Sequence, residues 1–168
     1  MNDSDLLTCC DRLSRTEAYQ QQICALLEER MHIFNGYNKK QCVRILLNLG
    51  SIFALKYVAE NAEEVMRDGD FLQFSYTTIE ALPLLSAIYP FARKREFDMP
   101  SAMSILNSMG EIAASSEENY EAVNEELDEL AGISNQFADI VLYKQNFKNR
   151  LLQRMEKEMS LDEALKAI

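Results

Sequence analysis

The first 35 residues contain neither glycine nor proline, and the only prolines, Pro83, Pro90 and Pro100, lie near the middle of the chain. These are the residues that most strongly punctuate local structure, so their placement divides the chain into a few long segments with helical patterning. Asp3 or Ser4 is positioned to cap a first helix carrying Leu6, Cys10, Leu13, Cys24, Leu27, Met31 and Phe34 at mostly three- and four-residue spacing. Glu17 and Gln20 dilute that stripe. Asn35-Gly36-Tyr37-Asn38 reads as a turn.

A second helix, from about Lys39 to Arg67, places Cys42, Leu46, Leu49, Phe53 and Tyr57 on one face, and Asp68-Gly69-Asp70 ends it. Gly50, inside it, reads as a point of close helix approach. Folding the two segments back about the turn sets Glu17 beside Lys56 and Glu29 beside Arg44. The same register brings Leu27 to Leu46 and Met31 to Cys42, so charge and apolar patterns agree on a hairpin over 4–67.

The next stretch, 71–97, holds six of the fifteen aromatics, with Glu80 the only charge before Arg93-Lys94-Arg95. Thr77 and Glu80 have capping-box spacing, which predicts a short, kinked helix from Thr78 to about Tyr89. Beyond Pro100 the residues Leu106, Met109, Ala113, Ser116, Tyr120, Val123, Leu127 and Leu130 alternate spacings of three and four, a heptad seam with a weak centre. Gly132 reads as a turn with Ser134 as the next cap. Phe137, Ile140, Val141, Phe147, Leu151 and Met155 continue the stripe to about Glu158, and Ser160 with Glu163 forms a capping box for a terminal helix, 161–168.

Charge is sorted along this second half. From Glu96 to Tyr143 there are eleven acids and no Lys or Arg, and the following fourteen residues carry five bases against one acid. An antiparallel hairpin over 101–158 sets Glu121 against Lys144, Glu117 against Lys148 and Glu111 against Arg154, with Leu127 at Phe137, Ala113 at Leu151 and Met109 at Met155. The alternative is one continuous helix through Gly132 that forms a coiled-coil homodimer. The fold class expected is all-α, in one domain over 1–168. It is an elongated antiparallel helical bundle of two long hairpins joined by a short aromatic-rich crossover, with a short C-terminal helix.

A net charge of −10 disfavours nucleic acid and anionic lipid as partners, and a partner attracted by charge is expected to be basic. No apolar window reaches the ~18 residues of a membrane span. Cys9, Cys10, Cys24 and Cys42 form no CxxC pair, and the N-terminus has no signal-peptide pattern. Both point to reduced thiols in a cytoplasmic setting.

Chemistry-bearing patterns are sparse. His32 is the only histidine, and with Glu29 it makes half of a di-iron Glu-x-x-His arrangement that only a symmetric dimer completes. Cys9 and Cys10 point about 100° apart on a helix and do not share one tetrahedral metal. No phosphate loop, nucleophile elbow or zinc spacing occurs. No cofactor or metal is expected, and the chain reads as non-enzymatic.

Two surfaces are candidate partner sites: the crossover aromatics Phe71, Phe74, Tyr76, Tyr89, Phe91 and Phe97, and the acids Glu125, Glu126, Asp128 and Glu129, which have no basic partner in the expected register. The leading expectation is a protein–protein interaction module, whether adaptor, chaperone or regulatory subunit. The alternatives are an acidic nucleic-acid mimic and a dimeric metal-binding bundle. The terminal stripe Leu161, Leu165 and Ile168 is suited either to pack on the bundle or to dock in another protein's groove.

Overall fold

A computed structural model describes residues 1–68, 71–93 and 99–166. The Gly69-Asp70 turn, Lys94, Arg95, Phe97 and Ile168 lie outside them. The described residues contain ten α-helices and no strand: α1 (Asp3–Leu13), α2 (Glu17–Arg30), α3 (Gly36–Asn48), α4 (Ile52–Glu60), α5 (Ala62–Val65), α6 (Leu82–Ala92), α7 (Met99–Ala113), α8 (Glu117–Ile133), α9 (Tyr143–Glu158) and α10 (Leu161–Lys166). Short 3-10 segments, Met31–Ile33, Met66–Asp68, Ile79–Ala81 and Asn135–Leu142, link several of them. None of these helices approaches the thirty residues expected from the spacing of breakers, because hydroxyl residues end helices where no glycine or proline does.

The first break falls at Ser14. Its Oγ donates to the Asp11 carbonyl (2.7 Å), and Thr16 takes an extended backbone ahead of α2. Side-chain bonds of this kind offer the backbone an alternative to continued helix. At the chain start the cap is Asn2 rather than Asp3 or Ser4, its Oδ1 accepting from the Asp5 amide at 2.8 Å. Ser116, the weak centre of the heptad seam, is the extended N-cap of α8, accepting from the Asn119 amide at 3.1 Å. The seam therefore belongs to two helices.

Gly50 also departs from expectation. It ends α3 in a left-handed conformation (φ +77°), with the Ser51 amide donating to the Leu46 carbonyl (3.0 Å) and the Gly50 amide to that of Leu47 (3.2 Å). This is the Schellman pattern. Ser51 then caps α4 through the Ala54 amide (3.1 Å). Gly132, by contrast, lies inside α8, and the turn comes at Ser134, whose Oγ accepts from the Gln136 amide at 3.2 Å. The Ser160–Glu163 capping box forms in both directions, at 3.2 and 3.0 Å. The helix expected over Thr78–Tyr89 begins as a 3-10 turn, Thr78 makes no side-chain cap, and α6 continues through Pro90 to Ala92.

The chain forms two compact units. The first comprises Met1–Ser75 and Ala87–Ile105, the second Tyr76–Ser86 and Leu106–Ile168. In the first, α1 folds back at the Ser14 break and packs on α3, so Arg44 pairs with Asp11 (3.3 Å) rather than with Glu29. Cys42 Sγ donates to the Leu27 carbonyl (3.7 Å), and Ser51 Oγ donates to Glu28 (2.6 Å), tying α2 to the start of α4. Leu27, Phe34, Leu46, Leu47 and Leu55 are fully enclosed. Leu13 and Phe53, expected on the apolar faces, are exposed.

Residues 71–77 have no regular hydrogen-bonded structure, yet their burial alternates: Leu72, Phe74 and Tyr76 are inside, and Phe71, Gln73 and Ser75 outside. A period of two is that of an extended chain. With no neighbouring strand, its buried amides are satisfied by serines of α7. In the first unit Leu72 donates to Ser101 Oγ (3.1 Å) and Phe74 to Ser104 Oγ (2.8 Å), and in the second Tyr76 donates to Ser108 Oγ (3.1 Å).

In the second unit α8 packs on the Asn135–Leu142 segment and on α9. That inserted 3-10 stretch changes the register. Lys144 pairs with Asp128 (2.6 Å) instead of Glu121, and Glu111 meets Arg150 (3.7 Å) instead of Arg154. The stripe is buried from Phe137 through Leu151, except for the exposed Val141, and Met155 is exposed. Gly110 allows the contact between α7 and α9. A Cβ there would lie 2.8 Å from the enclosed Phe147 ring and 2.6 Å from Arg150. Gly110→Ala is therefore expected to lower stability by a net ~1 to 2 kcal/mol in urea denaturation, the overpacking outweighing the gain in helix propensity.

Candidate functional site

The N-terminal part of α3, residues of α4 and α5, and Phe71 with Leu72 shape a concavity of the first unit. It is a cleft of about 430 Å³ between the first turns of α3, the outer face of α4 and α5, and residues 71–72. Its size is in the usual range for a site that admits a ligand or an anchoring side chain. Val43, Val65 and Leu72 supply apolar lining. Tyr37, 71% exposed, and Phe71, 55% exposed, also line it, presenting aromatic surface to solvent.

Tyr57, on α4, is half-buried and carries the Lys39 ammonium over its ring, 5.0 Å from the centroid. Burial, and then the charge of Glu64, push the Tyr57 hydroxyl above its ordinary pKa, so it is a neutral hydrogen-bonding group at physiological pH. Arg44 Nε donates to Gln41 Oε1 at 3.0 Å, and the other end of the guanidinium holds Asp11. Lys40 and Glu64 complete the charged lining. A smaller cleft of about 190 Å³ shares Tyr37, Gln41 and Arg44 with it.

The residues singled out in the sequence are distributed unevenly around this site. Of the described crossover aromatics, Phe71 alone lines the cleft. Phe74 and Tyr76 are each 3% exposed and Tyr89 1%, placing them in the cores, and Phe91 is half-buried. Phe97 is outside the described residues. In the acidic group, Glu126 accepts from Ser86 Oγ at 2.6 Å and Asp128 pairs with Lys144, while Glu125 and Glu129 are exposed. Tyr37, Lys39, Lys40 and Arg44 were readable as an aromatic beside a basic run, Tyr37-Asn38-Lys39-Lys40, in a chain that is otherwise acidic. Tyr57 gave no such signal, since its spacing assigned it to the core face.

The other chemical candidates are not assembled into a reactive site. His32 and Glu29 are exposed, and among the described residues no three metal-ligating side chains converge. All four cysteines are free thiols. Burial, reinforced by Glu28, pushes Cys24 to about 11, and burial, reinforced by Cys10, pushes Cys42 to about 12, which keeps both protonated and weakly nucleophilic. Among the described residues no helix is long and apolar enough to cross a membrane. Compared with protein-family models, curated proteins and solved structures, the chain has no match.

Proposed function

We propose that this chain is a non-enzymatic protein–protein interaction module, working in a reducing compartment, whose recognition site is the cleft edged by Tyr37 and Phe71. The observation that carries this reading is the pair of exposed aromatic side chains lining one concavity beside cationic groups. Exposed aromatic surface in a pocket, next to a polar rim, is the composition of a binding hot spot. It narrows the crossover expectation to its one exposed cleft residue, Phe71, and adds the adjoining faces of α3 and α4. The protonated state of Cys24 and Cys42 favours the non-enzymatic side of the reading. The acidic-mimic alternative is left with less surface, because Glu126 and Asp128 are engaged within the second unit.

Selection of a random peptide library against the full chain tests the proposal. Phe71→Ala is expected to weaken the selected ligands at least about tenfold with the circular dichroism spectrum unchanged, since loss of one hot-spot aromatic removes ~2 kcal/mol or more. Ligands indifferent to both Phe71→Ala and Tyr37→Ala would place recognition elsewhere on the chain.

A further inference from the structure

The recognition reading, on which this inference rests, does not by itself say what chemistry enters the cleft. The local charge does. The chain carries 27 acids against 17 bases, yet among the described residues the charged lining of the cleft is Lys39, Lys40 and Arg44 against Glu64. Among the described residues the sign of the chain's net charge is reversed at this concavity.

The cations are placed to engage a ligand. The Lys39 ammonium rests on the Tyr57 ring, and that cation–π contact leaves its N–H donors without a carboxylate among the described residues. Arg44 shares its guanidinium with Asp11, but the two side chains are 43% and 36% exposed. A solvent-exposed pair of this kind contributes little, so an incoming carboxylate competes with Asp11 at small cost. A cationic ligand meets the opposite situation, since the Tyr57 face already holds an ammonium. Nucleic acid is opposed over longer distances by the net charge of −10. A short acidic peptide feels that field far less, because charges separated by more than ~10 Å are screened at 0.1 M salt.

We infer that the cleft receives an acidic peptide segment of a partner protein. An aromatic or branched aliphatic side chain of the segment packs against Tyr37 and Phe71, and its flanking carboxylates engage Lys39 and Arg44. The apolar contact supplies the affinity and the carboxylates the selectivity, the division usual where a charged rim surrounds an apolar centre.

The test is a nitrogen-15 chemical-shift titration of the full chain with three defined peptides of about ten residues. One is Glu-rich with a single central Phe, one has every Glu replaced by Lys, and one keeps the Glu residues but has Ala in place of Phe. The first is expected to give saturable shifts at the Tyr37, Lys39, Tyr57 and Phe71 amides, with the other two at least about tenfold weaker. Lys39→Glu is expected to weaken the first peptide about tenfold, and raising salt should weaken it further. Equal or tighter binding of the Lys-rich peptide at these amides would overturn the acidic class while leaving the cleft a recognition site. Shifts of the same amides by single-stranded oligothymidylate, with none from the acidic peptide, would assign the cleft to phosphate instead. No shift there from any probe would overturn the inference, and the library selection then decides separately whether the cleft binds protein at all.

Discussion

Replacing Ser101 and Ser104 together by alanine is expected to destabilise the first unit by roughly 1 to 5 kcal/mol. Each hydroxyl accepts from a buried backbone amide, Leu72 at 3.1 Å and Phe74 at 2.8 Å, and both serines are themselves buried. Deleting the acceptors leaves two donors enclosed without partners, at ~1 to 3 kcal/mol each. The gain in helix propensity from serine to alanine is at most ~0.7 kcal/mol per site and offsets only part of that. Urea denaturation of the full chain measures the loss, and amide hydrogen exchange at Leu72 and Phe74 locates it. A loss below about 1 kcal/mol, with those amides still protected, would show that they do not depend on the serines.

Gly50→Ala is expected to cost about 2 to 5 kcal/mol for two separable reasons. At φ +77° an L side chain is strained by ~1 to 2 kcal/mol. The added Cβ also lies 2.8 Å from the Ser75 carbonyl oxygen, a backbone atom that cannot swing aside, so the segment leading into the serine-satisfied stretch must shift. Overpacking of that sort adds ~1 to 3 kcal/mol. Gly50→Asn separates the terms, because asparagine tolerates the left-handed conformation and still carries the Cβ. If Asn is as damaging as Ala, the clash dominates. If Asn restores most of the stability, conformational strain does.

The helical class of this chain was legible because its apolar residues recur at helical spacing, and most of the predicted seam from Leu106 to Leu130 is buried. The capping box at Ser160 was legible for the same reason that it forms: both partners lie within four residues of each other. The helix boundaries were not. Gly110 and Gly132 sit inside helices, whereas Ser14, Ser51 and Ser116 stand at breaks, and a serine in an amphipathic pattern does not announce whether its hydroxyl will bond outward or into the backbone. The missed break at Ser14 turned the chain and the 3-10 stretch Asn135–Leu142 shifted the later register, which is why Arg44 meets Asp11 and Lys144 meets Asp128. The crossover aromatics show a related limit. Their number was plain, but the burial of alternate residues in 71–76 depends on acceptors about thirty residues away on α7. Phe71 remains outside because it falls on the odd side of that alternation.

The cleft takes its lining from residues 36–44, 57–65 and 71–72, three stretches that only the folded first unit brings together. Its recognition surface is therefore discontinuous. A synthetic fragment covering any one stretch presents only part of the lining and separates Lys39 from the Tyr57 platform on which it rests. An antibody raised against the folded cleft would distinguish native from unfolded protein, and one raised against a linear peptide from it would not.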